Sequence, residues 1–332
     1  ELALRVRGRL ALTIGRMGQA TKALSLQKQH LTDSERIHGA RHHLTQISRH
    51  NLAGHYLEMG RADKALLLFE EVHAGLESIF ESDHPEVLSS RNNLATCLEM
   101  TGQAKEALPI FEQNLKDRVR VLGTGNAEHP QILASRNNLA GCYESVGRTG
   151  KARRLFKQNL EARERTLGAD HPDTLYSRHN LAVHLFKEDQ PGKALPLFEQ
   201  NLEARARILG ADHPETLRSR NNFAICFKSE VSPHEALPHF EQNLRDSERV
   251  LGPGNPDHPD ILVSRNNLAD CYASADQPYE ALLLFAQNLE VRKRTLGTDH
   301  ADTRLSRLKV VGCLKLWIKS LPLPASDKMA SE

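Results

Sequence analysis

Histidine and cysteine are the side chains in this 332-residue chain best suited to metal binding or catalysis. Among its seventeen histidines, six recur at intervals of 42 or 45 residues, and five of these six stand directly before a proline. They are His84, His129, His171, His213, His258 and His300. Because ligands this far apart in a repeating chain cannot converge on one ion, we interpret them as helix caps and loop-packing residues.

The five cysteines fit neither a disulfide framework nor a zinc site. Their number is odd and no pair has CxxC spacing, which also favours a reducing compartment. We interpret four of them as small buried groups rather than nucleophiles: Cys97, Cys142, Cys226 and Cys271. The sequence has no GxxxxGK[ST] phosphate loop, GxSxG or HExxH. We therefore predict no catalytic residues, no metal, no cofactor and no enzymatic activity.

Charge and hydropathy argue against nucleic acid and membrane as partners. Lys and Arg number 44 against 42 Asp and Glu, so no net field attracts a polyanion or an anionic lipid surface. No apolar run approaches the roughly 20 residues that span a bilayer. We expect a cytoplasmic protein. The chain starts at Glu1 rather than Met, which leaves open a targeting segment or a further domain upstream.

An internal repeat organises the chain. The phrase Ser-Arg-Asn-Asn-Leu-Ala recurs with small variations, and its arginine, here called the registered arginine, returns every 42 or 45 residues. The copies are Arg7, Arg49, Arg91, Arg136, Arg178, Arg220, Arg265 and Arg307. The two longer steps carry the same three-residue insertion, after Gly123 and after Gly252. Matched separations of 129 residues indicate that a three-repeat block was duplicated.

One unit, residues 168–210, predicts two helices. Gly168 ends the preceding helix, because a residue without Cβ readily adopts the left-handed conformation. Asp170 or His171 can cap the next helix, and Pro172 suits its first helical position. Two apolar stripes at helical spacing follow, separated by a break rich in Pro and Gly. Since neither helix can bury its stripe alone, neighbouring units must stack.

The unit resembles a known repeat family. The pattern Asn-Leu-Ala-x-x-Tyr-x-x-x-Gly-x-x-x-x-Ala-x-x-x-Phe at residues 138–156 is similar to the tetratricopeptide repeat. The 42-residue period with Leu-Gly-x-x-His-Pro between units resembles its kinesin-light-chain class, which is also abundant in bacterial and fungal signalling proteins. The resemblance covers about residues 2–316. It implies an all-α, right-handed superhelical solenoid of about seven helix pairs plus a C-terminal capping helix.

We assign the solenoid to residues 1–318. Its units are predicted near residues 2–39, 40–81, 82–123, 124–168, 169–210, 211–252 and 253–297, with a cap at 298–318. Residues 319–332 contain Pro322, Pro324 and small polar side chains, so we expect a disordered tail.

The resemblance also implies a binding surface. The first helix of each unit, helix A, lines a concave groove in such arrays, and the residue before Leu-Ala faces it. In the O-linked sugar transferase an asparagine there grips the bound peptide's backbone. The same position here holds Asn51, Asn93, Asn138, Asn180, Asn222 and Asn267. A carboxamide donates and accepts, so it can pair with any peptide unit. The alternative is an asparagine that bonds to the neighbouring repeat.

Two neighbouring positions are polar as well. The residue before each asparagine is expected to share the groove, and these residues are His50, Asn92, Asn137, His179, Asn221 and Asn266. The registered arginine is expected to be architectural. It is predicted to bridge to acids of the second helix, helix B, such as Glu112, Glu199 or Glu241.

Other groove positions vary, and variation would set specificity. The earlier units offer Ser89, Thr96, Glu99, Ala134, Gly141 and Glu144. The middle units offer apolar Tyr176, Val183, Phe186 and Ile225, with cationic Lys187, Arg218 and Lys228 close by. We predict an apolar pocket rimmed by cations near residues 176–228, suited to an extended peptide with an apolar anchor and acidic flanks. The alternative is that Phe186 and Ile225 pack between repeats.

The sequence therefore favours a scaffold that binds a protein or peptide in the helix A groove. The alternative is a ligand-sensing regulatory segment of a larger signalling protein, of the kind that follows a nucleotide-binding switch domain. A P-loop in the gene upstream of residue 1 would distinguish the two.

Overall fold

The computed structural model describes residues 2–16, 20–253 and 255–321. Within these residues the chain forms fifteen α-helices, one short 3-10 helix and no strand, which confirms the predicted all-α class. The helices are α1 Leu2–Arg16, α2 Ala20–His38, α3 His43–Glu58, α4 Ala62–Glu77, α5 Pro85–Met100, α6 Ala104–Leu122, α7 Pro130–Ser145, α8 Thr149–Leu167, α9 Pro172–Lys187, α10 Pro191–Leu209, α11 Pro214–Glu230, α12 Pro233–Leu251, α13 Pro259–Ser274, α14 Pro278–Leu296 and α15 Ala301–Ser320. The 3-10 helix is Thr124–Asn126.

Consecutive helices form pairs, as predicted. The odd-numbered helices α1 to α13 are helices A and carry the registered arginines, the even-numbered ones are helices B, and α15 is a last helix in the helix A register. The chain divides into two compact units, Glu1–Gly168 and Ala169–Glu332. The first unit contains α1–α8 and the second contains α9–α15, and in each unit every helix packs on the next one along the chain.

The core of each unit is built on small side chains at the contact between paired helices. The residue four positions after the registered arginine is a buried alanine in every helix A, with 0 or 1 % exposure: Ala11, Ala53, Ala95, Ala140, Ala182, Ala224 and Ala269. It is matched on helix B by fully buried Ala23, Ala65, Ala107, Ala152, Ala194, Ala236 and Ala281. Small residues let two helices approach closely, which explains a large helical core with few aromatic side chains.

Histidine caps the helices A, as the sequence predicted. The Nδ1 atom of His171 accepts a hydrogen bond from the backbone N–H of Asp173 at 3.1 Å, which satisfies one of the free donors at the start of α9. The same cap is formed by His42, His84, His129, His213, His258 and His300. Gly168, at φ 88°, ends the preceding helix in the left-handed region that glycine adopts without strain.

The last helix runs through Ser320, two residues beyond the predicted end of the cap. Residues 322–332, most of the predicted tail, lie outside the described residues. No helix in the described part of the chain is both long and apolar enough to cross a membrane.

Candidate functional site

The predicted groove residues lie along one face of the helices A. We define the helix A face as the positions two before and one, two, five and eight after each registered arginine. The asparagines at the second position after the arginine are half-buried in both units. So are the preceding polar residues, except Asn137, which is buried. In the six copies that carry the asparagine, the position two before the arginine is exposed and differs each time: Ile47, Ser89 and Ala134 in the first unit, Tyr176, Arg218 and Val263 in the second.

Some of the predicted ladder asparagines bond to the neighbouring repeat. In the first unit Asn138 Nδ2 donates to Asn92 Oδ1 at 3.0 Å. In the second unit Asn267 Nδ2 donates to Asn221 Oδ1 at 2.9 Å. The alternative interpretation therefore holds for these two pairs. A carboxamide has two N–H donors and two acceptor lone pairs, so one such bond does not use up its capacity.

Asn266 belongs to a polar cluster with the last helix. Its Nδ2 donates to Asp270 Oδ2 at 3.0 Å, and its Oδ1 accepts from Lys309 Nζ at 3.2 Å. Lys309 also donates to Asp270 at 2.7 Å. The structure thus gives Asn266 a role in holding α15 on α13, which the sequence did not indicate.

The second unit contains a cavity of about 300 Å³ on the helix A face. It lies between α11 and α13, above the C-terminal half of α12, and four of the predicted site residues line it: His179, Arg218, Asn221 and Asn222. Its floor includes Asn243 and Ser247, which are each 1 % exposed. The Asn243 Oδ1 atom is buried without a hydrogen-bond partner, so the floor offers an unsatisfied acceptor to an N–H or O–H group.

The first unit has a smaller cavity of about 190 Å³ at the equivalent place, between α3 and α5 above α4. His50 and Asn93 line it, together with apolar Ile47, Val72 and Leu76. The two units therefore present the same recess with different linings, and the lining of the second is more polar.

His179 is the most strongly perturbed titratable group of this surface. Burial, followed by the positive charges of Arg205 and Arg218, lowers the pKa of its imidazole to about 4. Burial likewise lowers the pKa of His50, which holds the same position in the first unit. Both rings are therefore neutral at pH 7, and each offers one donor and one acceptor to a ligand.

Of the residues predicted to form an apolar pocket with a cationic rim, Arg218 lines this cavity and the others do not. Ile225 packs against the buried cluster that includes Ala224 and Phe240, in agreement with the alternative interpretation. Tyr176 and Lys187 are exposed, Phe186 and Lys228 are half-buried, and none of the four lines the cavity. The helical period fixes the side of the helix on which a residue lies, but which residues of neighbouring helices share one recess depends on how the helices cross, and the sequence does not give that.

The registered arginines are architectural, as predicted, but their partners differ from those named. Arg91 pairs with Asp117 at 2.8 Å and Arg220 with Asp246 at 2.6 Å, each an acid 26 residues later on helix B. Arg49 pairs with Glu35 and Glu71 instead. Most registered arginines also donate to the backbone carbonyl nine residues earlier and so close the preceding loop.

The acids that the sequence suggested for this role have other environments. Glu112 accepts a hydrogen bond from the Tyr143 hydroxyl at 2.6 Å, and Glu241 accepts one from Tyr272 at 2.8 Å. Glu199 is exposed. Burial and the accepting carboxylate together raise the pKa of both tyrosines to about 12.

A row of buried asparagines on helix B was missed. Their exposure is 0 or 1 %, and they are Asn114, Asn159, Asn201, Asn243 and Asn288. Asn159, Asn201 and Asn288 donate to helix A carbonyls at 2.8 to 2.9 Å, whereas Asn243 donates to Ser264 Oγ at 3.1 Å. The recurring Gln-Asn-Leu was the available signal, because an asparagine that recurs three residues after a phenylalanine shares its side of the helix, and a buried amide needs an internal hydrogen bond.

The cysteines have the buried environment that the sequence indicated. All five are buried, and burial raises the pKa of Cys142, Cys226 and Cys271 to about 11, so the nucleophilic thiolate is disfavoured. The Sγ atom of Cys271 donates to the Pro233 carbonyl at 3.2 Å, at the start of the preceding helix B. Among the residues that the structure describes, no three His, Cys, Asp or Glu side chains are placed to hold a metal ion.

Comparison with family models finds the tetratricopeptide repeat along most of the chain. One model of this repeat matches residues 2–78, 48–116, 131–200 and 176–245, and a second matches residues 261–302. No curated protein matches the chain.

Similar solved structures include proteins of several kinds. A kinesin-light-chain-type protein of Podosopora anserina with nearly identical TPR-like repeats is 31 % identical, over 61 % of this chain and 94 % of that one, with a TM-score of 0.53. The apo quorum sensor NprR from B. thuringiensis is 14 % identical, over 87 % and 76 %, with a TM-score of 0.65. A signal transduction ATPase from Pyrococcus horikoshii with a tetratricopeptide repeat sensor is 14 % identical, over 92 % and 43 %, with a TM-score of 0.57.

Proposed function

Because the chain belongs to the tetratricopeptide repeat family, in its kinesin-light-chain-like class, we propose that it is a scaffold that binds a protein or peptide on the helix A face. The observation that carries the proposal is the combination of two rows on that face. One row is constant and half-buried, and consists of the asparagines. The other is exposed and changes from copy to copy, and includes Ser89, Tyr176 and Arg218.

The two rows divide the work of recognition. The asparagines can pair with the backbone of an extended ligand whatever its sequence, because an amide matches a peptide unit in donor and acceptor. The variable row contacts the ligand's side chains and sets specificity. Six of the eight copies keep the asparagine, whereas the position two before the arginine differs among those six.

The second unit suggests the chemistry of the preferred ligand. Its helix A face carries Tyr176, Val183 and Phe186 together with Arg218 and Lys228. These groups suit a peptide with an apolar anchor and acidic flanks. Arg218 already pairs with Glu215 at 2.7 Å, so a ligand carboxylate would compete with that exposed pair, whose own contribution is small.

The proposal is tested with a random peptide library screened against the full chain and against the double variant Asn180→Ala/Asn222→Ala. We expect peptides with an apolar anchor and acidic flanks. The variant should bind them about tenfold more weakly, since two amide hydrogen bonds are lost. Its melting temperature should stay nearly unchanged, because these half-buried side chains lie outside the core.

A matched control is Gln287→Ala, which removes an exposed carboxamide from helix B of the second unit. It should leave peptide binding unchanged. Asn221→Ala provides a contrast, because it removes the acceptor of Asn267 and should lower stability. If the double variant loses much stability and retains its peptides, the asparagines are structural and the proposal is wrong.

A second candidate is a ligand-sensing regulatory segment of a larger signalling protein. The likeness to an ATPase with a tetratricopeptide repeat sensor motivates it. The structural match covers 43 % of the length of that protein, as a match to one segment of a larger protein would. A nucleotide-binding P-loop encoded upstream of residue 1 would favour the sensor, and its absence would favour the free scaffold.

A further inference from the structure

The outer face of α15 carries exposed apolar side chains in the part of the chain that the structure describes. In the seven preceding helices A, the residue four positions after the registered arginine is an alanine with 0 or 1 % exposure. In α15 that position is Val311, which is 42 % exposed. Leu308 is 69 % exposed and Ile318 is 56 % exposed on the same helix. Within the described residues no helix follows α15 to cover them.

The preceding pair shows what normally covers this face. On α13 the equivalent of Val311 is Ala269, which packs in one cluster with Ala281 and Phe285 of α14. Tyr272 borders that cluster, and its counterpart on α15 is Leu314, 38 % exposed. The outer face of α15 is therefore a helix A surface that no helix B covers within residues 2–321 as described.

In the described part of the chain, the registered arginine of α15 also lacks the acidic partner that some of its counterparts have. Elsewhere Arg7, Arg91 and Arg220 each pair with an acid of the following helix B, 26 residues later. Arg307 belongs to the same series. Within the described residues its side chain makes one hydrogen bond, to the Thr298 carbonyl at 3.5 Å, and no ion pair with a carboxylate.

Arg307 shares α15 with other exposed cations. Arg304, Lys315 and Lys319 lie exposed on α15, whose one acidic residue, Asp302, stands at its start. This distribution would attract an acidic helix and repel another copy of the same basic face.

We propose that the outer face of α15 binds an amphipathic α-helix of a partner protein, which packs where a following helix B would pack and supplies a carboxylate to Arg307. Leu308, Val311, Leu314 and Ile318 form the apolar contact. The repeats indicate the partner's pattern: Asp117 follows the buried Phe111 by six residues, and Asp246 follows the buried Phe240 by six. The partner helix should carry an acid six residues after an inward aromatic side chain.

A partner helix fits this face better than a lipid surface does. Arg304, Leu308, Val311 and Lys315 follow one another at helical spacing, so cations and apolar residues share one stripe. A helix that lies on a membrane separates its cations from its apolar face. A docking helix instead offers fixed acids to cations that stand among apolar side chains.

The test uses a peptide of residues 233–251, the helix B that contains Phe240 and Asp246, titrated into the full chain. Trp317 is the only tryptophan of the protein and lies on α15, so its fluorescence reports binding there. We expect saturable binding. The peptide with Asp246→Asn and the protein with Arg307→Gln should each bind about tenfold more weakly, and Val311→Asp should abolish binding.

Leu67→Asp is the matched control, because it places the same carboxylate on a 63 % exposed leucine of α4. It should bind the peptide as the unmodified chain does. Circular dichroism checks that each variant is folded. If Val311→Asp does not fold, Arg307→Gln, which changes only an exposed side chain, still tests the proposal. The proposed contact lies on α15 and includes neither Asn180 nor Asn222, so Asn180→Ala/Asn222→Ala should leave this binding intact.

Three results would overturn the proposal. The first is no binding, or binding that Arg307→Gln and Val311→Asp leave unchanged. The second is binding of anionic phosphatidylserine vesicles that Val311→Asp abolishes, without peptide binding, which would assign the face to membranes. The third is a concentration-dependent dimer that Val311→Asp dissociates, without peptide binding, which would assign it to self-association.

Discussion

At the scale of single residues, His179 and His50 stand where other repeats carry asparagine. A neutral histidine, like an asparagine, both donates and accepts a hydrogen bond, but its ring can also take up a proton. In the folded chain the pKa of His179 is about 4, below its ordinary value of 6.5. The unfolded chain therefore takes up this proton first as the pH falls, and stability is lost between about pH 6.5 and pH 4.

His179→Asn should remove this acid sensitivity, because it installs the amide that Asn221 provides in the next repeat. Above pH 7 the ring is neutral in both states and contributes no pH dependence. As the pH falls from 7 to 4, we expect the unmodified chain to lose up to about 3 kcal/mol more unfolding free energy than the variant loses. Urea unfolding at several pH values measures it. Equal pH dependence in both proteins would show that His179 is not held neutral.

The sequence identified which residues recur but not what each one touches. The registered arginines were recognised as architectural, yet Arg91 reaches Asp117 rather than Glu112. Both acids lie on α6, and the choice between them depends on the crossing of two helices and on the arginine rotamer. The buried helix B asparagines recur visibly in Gln-Asn-Leu, but most of their partners are backbone carbonyls of helix A, which no residue type marks, so recurrence alone did not show what they bind.

At the scale of helices, the histidine caps are a local feature that the sequence predicted well. A cap is a contact between neighbours in the chain, so spacing alone decides it. His171 stands directly before Pro172 and bonds to the N–H two residues on. Helix lengths and pairings followed from the period for the same reason, whereas the linings of the cavities depend on three helices at once.

His171→Ala should cost about 1 kcal/mol of stability through loss of the cap. His171→Asp should retain it, because a carboxylate caps well and favours the positive end of the helix dipole. The midpoint of urea unfolding compares the variants at pH 7. His234→Ala is the control, an exposed histidine in the first turn of α12, where Ser232 is the cap. An equal loss in both alanine variants would show that the His171 cap contributes nothing.

At the scale of the whole molecule, the division at Gly168 coincides with the end of a helix pair. In repeat proteins each unit is stabilised by its own packing and by its nearest neighbours. Stability should therefore be distributed along the chain rather than held in one centre.

The fragments 1–168 and 169–332 should each fold, with helical circular dichroism and a cooperative thermal transition. A cut after Gly147 is the control, since it separates α7 from α8 and exposes Leu139, Ala140 and Tyr143, which are now buried. The fragments 1–147 and 148–332 should lose more helix than the first pair. If 1–168 and 169–332 are unfolded, the two units are not independent and this view of the chain is wrong.

The registered arginine's bond to a carbonyl nine residues earlier has a consequence for how the chain can change its length. Arg136 reaches Ala127, and Arg165 pairs with Glu128, at the same separations as in repeats without the insertion. The three added residues lie upstream of both contacts, next to Gly123. Residues inserted there leave the downstream contacts in place. The loop between α6 and α7 can therefore be lengthened, by codons gained in the gene or by a grafted epitope, without shifting the register of the helices.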